Sequence, residues 1–231
     1  MKLVKPEAYL VDKLDGQRIM EKLEAAGRIC YKSEAKGNPD GFIRKILARG
    51  HESVIEHETV SAKIVCDRGV SHEIVRHRVA SYSQESTRYC DYGDTGATKH
   101  VTFILPPWCP DIPLGEYDGM ATTTLYSQLR RLPGIEPQMI WLFSMKASET
   151  AYQNLRSQGW QPQQARGVLP NDLKTELYMT ANLREWRHIF RLRTAPAAHP
   201  QCRHIFQTLL QEFQASIPAL FSDFNETEIS R

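Results

Sequence analysis

LKTELYMTANLREWRHIFRLR, Leu173 to Arg193, changes its hydrophobic period halfway along. Up to Asn182, the apolar or small residues Leu173, Thr175, Leu177, Met179 and Ala181 alternate with Lys174, Glu176, Tyr178, Thr180 and Asn182, the period of a half-buried strand. From Leu183 the spacing is helical. At about 100° per residue, Trp186, Ile189, Phe190 and Arg193 share one face, and Arg184, Arg187, His188 and Arg191 share the other. A strand running directly into an amphipathic helix predicts an α+β fold, a small and mostly antiparallel sheet flanked by helices. It also raises a problem at Arg193, which falls within the apolar stripe. A buried, unpaired guanidinium costs several kcal/mol, so an anion or strong acceptor must lie beside it. Alternatively, the helix stops by Leu192, ahead of Pro196, and Arg193 turns outward.

Working outward, Pro137 to Gln158 reads as one long helix with Gly159 at its stop, carrying Ile140, Phe143, Met145, Ala147, Ala151 and Leu155. Pro200 to Phe221 reads as another helix. Nearer the start, Ile19, Met20, Leu23, Ala26 and Ile29 recur at helical spacing, as do Phe42, Ile43, Ile46 and Leu47 before Gly50. Strands are expected from Thr59 to Cys66 and from His100 to Leu105. The Pro- and Gly-rich stretch at 106–119 reads as an ordered loop opening an excursion over 106–135.

At 231 residues, with 41% apolar and 24% charged side chains, the chain has the length and composition of one globular domain, 1–231. Its 29 basic and 27 acidic residues are too balanced for a phosphate-tracking surface, which argues against nucleic acid as the main partner. Five scattered cysteines without a Cys-x-x-Cys pair fit reduced thiols rather than a disulfide frame or structural zinc. No signal-like N-terminus or bilayer-length apolar run is present, which predicts a soluble cytoplasmic protein without a membrane partner.

The densest chemistry is RHRVASYSQESTRY, Arg76 to Tyr89. Drawn on a short helix from Gly69, Arg76, His77 and Arg78 fan out over roughly 200°, which marks either a helix end or two different ligands held at once. Ser81, Ser83, Ser86 and Thr87 add hydroxyls, and Arg88 adds a planar fork of donors. Together these make an anion cradle or, equally, a solvated loop in which the arginines pair with Glu73 or Glu85. No Gly-x-Ser-x-Gly surrounds Ser86, so covalent attack has no motif behind it. His51 and His57 lack a metal-ligand spacing, and no Gly-rich phosphate loop occurs. A phosphate-gripping RNA binder and a metal-dependent hydrolase using His51, His57 and His77 are the competing readings.

Arg76-His77-Arg78, seven residues, Ser86, then Arg88-Tyr89 resembles the signature of the flavin-dependent thymidylate synthases. HESVIEH, ARGVLP and the spacing of Asn182, Arg184 and Arg193 extend the resemblance over about 15–215. It implies a homotetramer with active sites between subunits, where FAD and dUMP stack. The reaction makes dTMP with 5,10-methylenetetrahydrofolate as one-carbon donor and NADPH as reductant, releasing tetrahydrofolate; no metal is implied. By position, dUMP falls to Glu73, Arg76, Gln84, Glu85, Ser86, Thr87, Arg88, Arg166 and Arg193, with Arg193 as the catalytic group that polarises the pyrimidine. FAD falls to Ser53, Glu56, Arg76, His77, Arg78, Ser83, Asn182, Arg184, His188 and His199. The chain departs from the pattern at Glu73, often Gln in relatives, at His188, often Asn, at Ser83-Gln84-Glu85, and in a lengthened TAPAAHPQ.

Overall fold

The computed structural model describes residues 1–93 and 100–224, apart from the Met120 side chain. In chain order the elements are β1 (Lys2–Val4), β2 (Glu7–Leu10), α1 (Gly16–Tyr31), α2 (Pro39–Ala48), β3 (Thr59–Asp67), α3 (Arg68–Ile74), β4 (Ala80–Gln84), β5 (Thr102–Ile104) and β6 (Gly115–Glu116). Then follow α4 (Gly119–Leu129), α5 (Ile135–Ser157), α6 (Pro162–Ala165), β7 (Lys174–Asn182), α7 (Leu183–Arg193), α8 (Pro200–Ser216) and α9 (Pro218–Phe221). Local chemistry sets the helix ends. Asp15 Oδ1 accepts from Arg18 N–H at 3.0 Å, Asn38 Oδ1 from Gly41 N–H at 2.8 Å and Asn182 Oδ1 from Glu185 N–H at 2.8 Å, each relieving an orphan donor of the first turn. Gly159 follows α5 at φ +87°, a left-handed position that glycine adopts without a Cβ penalty.

The elements gather into two compact units. One holds Met1–Pro6, Val65–His72 and Gln84–Glu176; the other holds Glu7–Ile64, Glu73–Ser83 and the described residues from Leu177 onward. In the first, the sheet order is β5-β1-β6, with β1 parallel to β5 (Leu3 opposite Phe103) and antiparallel to β6. Leu3, Phe103, Leu142 and Tyr152 lie in its core.

Helix α5 is where expected but turned. Its buried face carries Ile135, Met139, Leu142, Met145, Glu149 and Tyr152, while Ile140 and Phe143 are 63% and 40% exposed. Both faces have helical apolar spacing, and a carboxylate on one disguises it. Glu149 is nevertheless fully buried, ion-paired to Lys146 at 2.6 Å and accepting from Val101 N–H at 3.0 Å.

The second unit holds most of a four-stranded sheet, order β2-β3-β7-β4. On β7, Leu177, Met179 and Ala181 are buried and Tyr178 is exposed, as the alternation predicts. Against the sheet lies α7, whose Trp186 indole donates to Val60 O at 3.0 Å. Trp186, Phe190, Phe213 and Phe221 then form an aromatic core with ring centroids 4.9–5.7 Å apart, mostly tilted or edge-to-face.

Several expectations are corrected. Strands β1, β2 and β4 do not show in the hydrophobic pattern, and neither does the 3-10 turn at Glu52–His57. Ile29 is 81% exposed despite its spacing. The C-terminal helix is two helices, interrupted at Ile217 because Pro218 cannot continue the hydrogen-bond ladder. Arg187, assigned to the polar face of α7, is buried; it binds Asp223 Oδ1 at 2.9 Å and the Leu220 carbonyl, and lies over the Phe224 ring. The residues around α9 cover part of that face.

Candidate active site

Within the second unit, α3 ends at Ile74, short of the helix drawn from sequence. Arg76 N–H donates to Glu73 O and His77 N–H to Ile74 O, i→i−3 bonds that tighten the last turn. Arg76-His77-Arg78 is therefore a helix end. The Tyr82 hydroxyl lies 2.9 Å from Ile74 O and 2.8 Å from His77 O, fixing that turn, and burial together with the nearby Glu185 pushes its pKa up to about 12. Arg76 and Arg78 are exposed, whereas His77 is buried at 4% exposure.

Arg193 remains helical and has the acceptor its position demands. Its Nη1 donates to Glu73 Oε2 at 2.9 Å, Nη2 to Glu73 O at 2.8 Å, and Nε to His77 Nε2 at 2.9 Å. Every nitrogen of the fork is held, so the guanidinium plane is fixed. Burial first, then the charges of Arg193 and His188, lower the His77 pKa to about 4, so the ring is neutral near pH 7.

Beside this cluster, in the same unit, opens a cleft of about 450 Å³ lined by Glu52, Glu56, Val79, Asn182, Arg184, Glu185, His188 and Arg191. Four of the residues assigned to FAD meet there: Glu56, Asn182, Arg184 and His188. Glu56 Oε1 accepts from Arg184 Nη1 at 2.5 Å, Glu52 Oε1 accepts from Arg191 Nη2 at 3.3 Å, and Glu52 Oε2 lies 3.6 Å from Arg184 Nε. Ser53 on the 3-10 turn, Arg76, Arg78, Ser83 on β4 and His199 at the start of α8 belong to the same unit but do not line this cleft.

Within the first unit, Gln84, Glu85, Ser86, Thr87 and Arg88 run from the end of β4 into a turn, where Tyr89 N–H and Cys90 N–H both donate to Ser86 O. Arg166 Nη1 donates to Thr87 Oγ1 at 2.9 Å, joining two residues assigned to dUMP. Gln84 Nε2 donates to Ser71 Oγ at 3.0 Å and Thr175 Oγ1 at 3.2 Å. Glu85 Oε1 accepts from Tyr92 OH at 2.7 Å and Oε2 faces Lys174 Nζ at 3.4 Å; burial and Glu85 push the Tyr92 hydroxyl pKa upward. The other residues assigned to dUMP, Glu73, Arg76 and Arg193, lie in the second unit.

Sequence reasoning missed Glu52, Val79, Glu185 and Arg191 as cleft walls, and Tyr82 and Tyr92 as braces. Arg191 carried a signal, since it shares a helix face with Arg184 and His188. Glu185 carried none. Among the described residues, His77, Glu185 and His188 bring one ligand-capable atom each within 4.8 Å of one another, a grouping absent from the His51, His57 and His77 hydrolase reading.

Comparison with known proteins identifies the family of the chain. The family described as "Thymidylate synthase complementing protein" matches residues 10–219. The flavin-dependent thymidylate synthase of Mycobacterium tuberculosis (strain ATCC 25618 / H37Rv) is 34% identical over 220 residues, 90% of this chain and 80% of that protein. Its counterpart from Mycobacterium marinum is 32% identical over 241 residues, covering 99% and 88%. The crystal structure of the UMP/dUMP methylase PolB from Streptomyces cacaoi bound with 5-Br dUMP superposes with a TM-score of 0.70 at 22% identity, over 97% of this chain and 96% of that one. The match across nearly the whole chain, on a shared α+β fold, makes this protein a member of the Thymidylate synthase complementing protein family.

Proposed function

We propose that the protein is an FAD-dependent thymidylate synthase that methylates dUMP to dTMP in the cytoplasm as a homotetramer with active sites between subunits, taking the one-carbon unit from 5,10-methylenetetrahydrofolate and reducing equivalents from NADPH. The observation that carries this reading is the fixed Arg193 fork beside a cleft lined by Glu56, Asn182, Arg184 and His188.

The residues present suit a flavin dinucleotide. Arg184 and Arg191 offer guanidinium groups for phosphate oxygens, and the Asn182 amide and His188 ring offer hydrogen bonds to polar edges. The cleft volume is ordinary for a small-molecule site. Glu52 and Glu56 now hold the two arginines, and an anionic ligand takes over part of those contacts. When bound, the flavin supplies hydride chemistry that side chains lack.

The chain's own residues orient and polarise. Arg193 donates toward the pyrimidine edge and stabilises negative charge as it builds in the ring, an effect strengthened by partial burial. Arg76, Arg88 and Arg166 bind the phosphate, Ser86 and Thr87 add hydroxyl contacts, and Gln84 and Glu85 orient the loop. Ser86 is a binding group in this scheme.

Purified protein tests the reading. The expected preparation is yellow, absorbs blue light, and oxidises NADPH at a rate that depends on dUMP. A colourless protein that rejects added FAD but retards RNA would establish a binding module instead.

A further inference from the structure

Glu185 occupies the first turn of α7 and has no part in the assignments above. Its backbone N–H is tied to Asn182 Oδ1 at 2.8 Å, and its side chain is 12% exposed with Oε1 3.4 Å from His77 Nδ1. On the opposite edge of the same imidazole, Arg193 Nε–H donates to His77 Nε2 at 2.9 Å. A guanidinium donates only, so Nε2 is the accepting nitrogen of the ring. A neutral imidazole that accepts at Nε2 carries its proton on Nδ1, the atom facing the carboxylate.

The three side chains thus form one directed line, from guanidinium to imidazole to carboxylate. It joins two residues of α7 through a ring that lies outside the helix. We propose that Glu185 is a positioning residue: it holds His77 in the Nδ1–H tautomer, and through His77 Nε2 it fixes the Arg193 fork. Glu73 holds the other two nitrogens of that fork, at 2.9 and 2.8 Å, so His77 decides the remaining direction of the guanidinium plane.

His77, Glu185 and His188 are close enough to share a cation, but His77 is already engaged on both ring edges, with Arg193 donating to Nε2 and Glu185 Oε1 facing Nδ1 at 3.4 Å. A metal at His77 Nδ1 would need the lone pair that the proton occupies. A metal at Nε2 would displace Arg193 from its acceptor.

What Arg193 does to a pyrimidine rests on the function proposed above; the tautomer of His77 does not. The test uses the full chain with 15N-labelled histidine, His77 being assigned by the signal lost in H77N. Long-range proton–nitrogen correlation at neutral pH should show His77 protonated at Nδ1. In Glu185→Ala the proton should move toward Nε2, and dUMP affinity measured by calorimetry should fall about tenfold, as expected for losing one buried acceptor in a line of three. Glu185→Gln should keep both properties, since its amide oxygen can accept the same proton. An Nε2–H signal in the wild type, or a Glu185→Ala variant with an unchanged tautomer, overturns the proposal. A shifted tautomer with unchanged dUMP affinity overturns the link to Arg193. If wild-type protein takes no dUMP, the functional reading fails, and the tautomer comparison still decides the role of Glu185.

Discussion

His77 takes no charge at neutral pH because the folded chain leaves its protonated form little water and, second, sets the Arg193 cation 2.9 Å away. The consequence for stability has a definite sign. An unfolded histidine protonates near 6.5 and folded His77 at about 4, so between those values the unfolded chain binds more protons and stability rises with pH. The contribution is full above 6.5 and is lost as pH falls toward 4, by up to about 3 kcal/mol. His77→Gln should flatten this slope relative to wild type in urea titrations between pH 4 and 7; parallel slopes would contradict the assignment. Arg193→Ala should abolish dUMP binding or lower turnover at least about 100-fold, as for a lost electrostatic donor, while the fold and most flavin binding persist. Normal turnover would show that the polarising group lies elsewhere. Arg193 was legible in the sequence because a guanidinium on an apolar stripe demands an acceptor. Its partners were not, since they stand 116 and 120 residues away and nothing local points to them.

Among the elements, β7 could be read directly because its buried residues follow one period without interruption, and α7 could be read apart from Arg187, which is buried although its spacing put it on the polar face. Strand β4 could not. Ser81 and Ser83 are exposed, and Ala80, Tyr82 and Gln84 are only half-buried, so no apolar alternation marks it. Helix α5 was placed correctly and rotated wrongly because its buried face carries Glu149. Where α1 meets α2, Gly27 makes a test of packing. A Cβ built there lies 2.7 Å from Phe42 Cε1 and 3.1 Å from Ile46 Cδ1. Gly27→Ala gains up to about 1 kcal/mol of helix propensity, but overpacking costs about 1–3 kcal/mol, so a small net loss is expected. Thermal melting should fall by a few degrees; a rise would mean that the two helices separate at little cost.

At the scale of the molecule, the described C-terminal residues are held by a charge rather than by apolar packing alone. Asp223→Ala leaves buried Arg187 with the Leu220 carbonyl and aromatic faces but no carboxylate. A loss on the order of 2 kcal/mol is expected in chemical denaturation, and an unchanged midpoint would show that the exposed carboxylate is replaced by water. The family was legible from a few motif residues, whereas the division into two units was not, because hydrophobic periodicity reports faces and not which faces meet. Each unit is assembled from three separate stretches of chain. During synthesis, therefore, α1 and α2 emerge long before the strands and helices that complete their unit, and the first unit cannot close until Glu176 has left the ribosome. Neither half exists as an uninterrupted gene segment, so no single cut can free one of them as a foldable fragment.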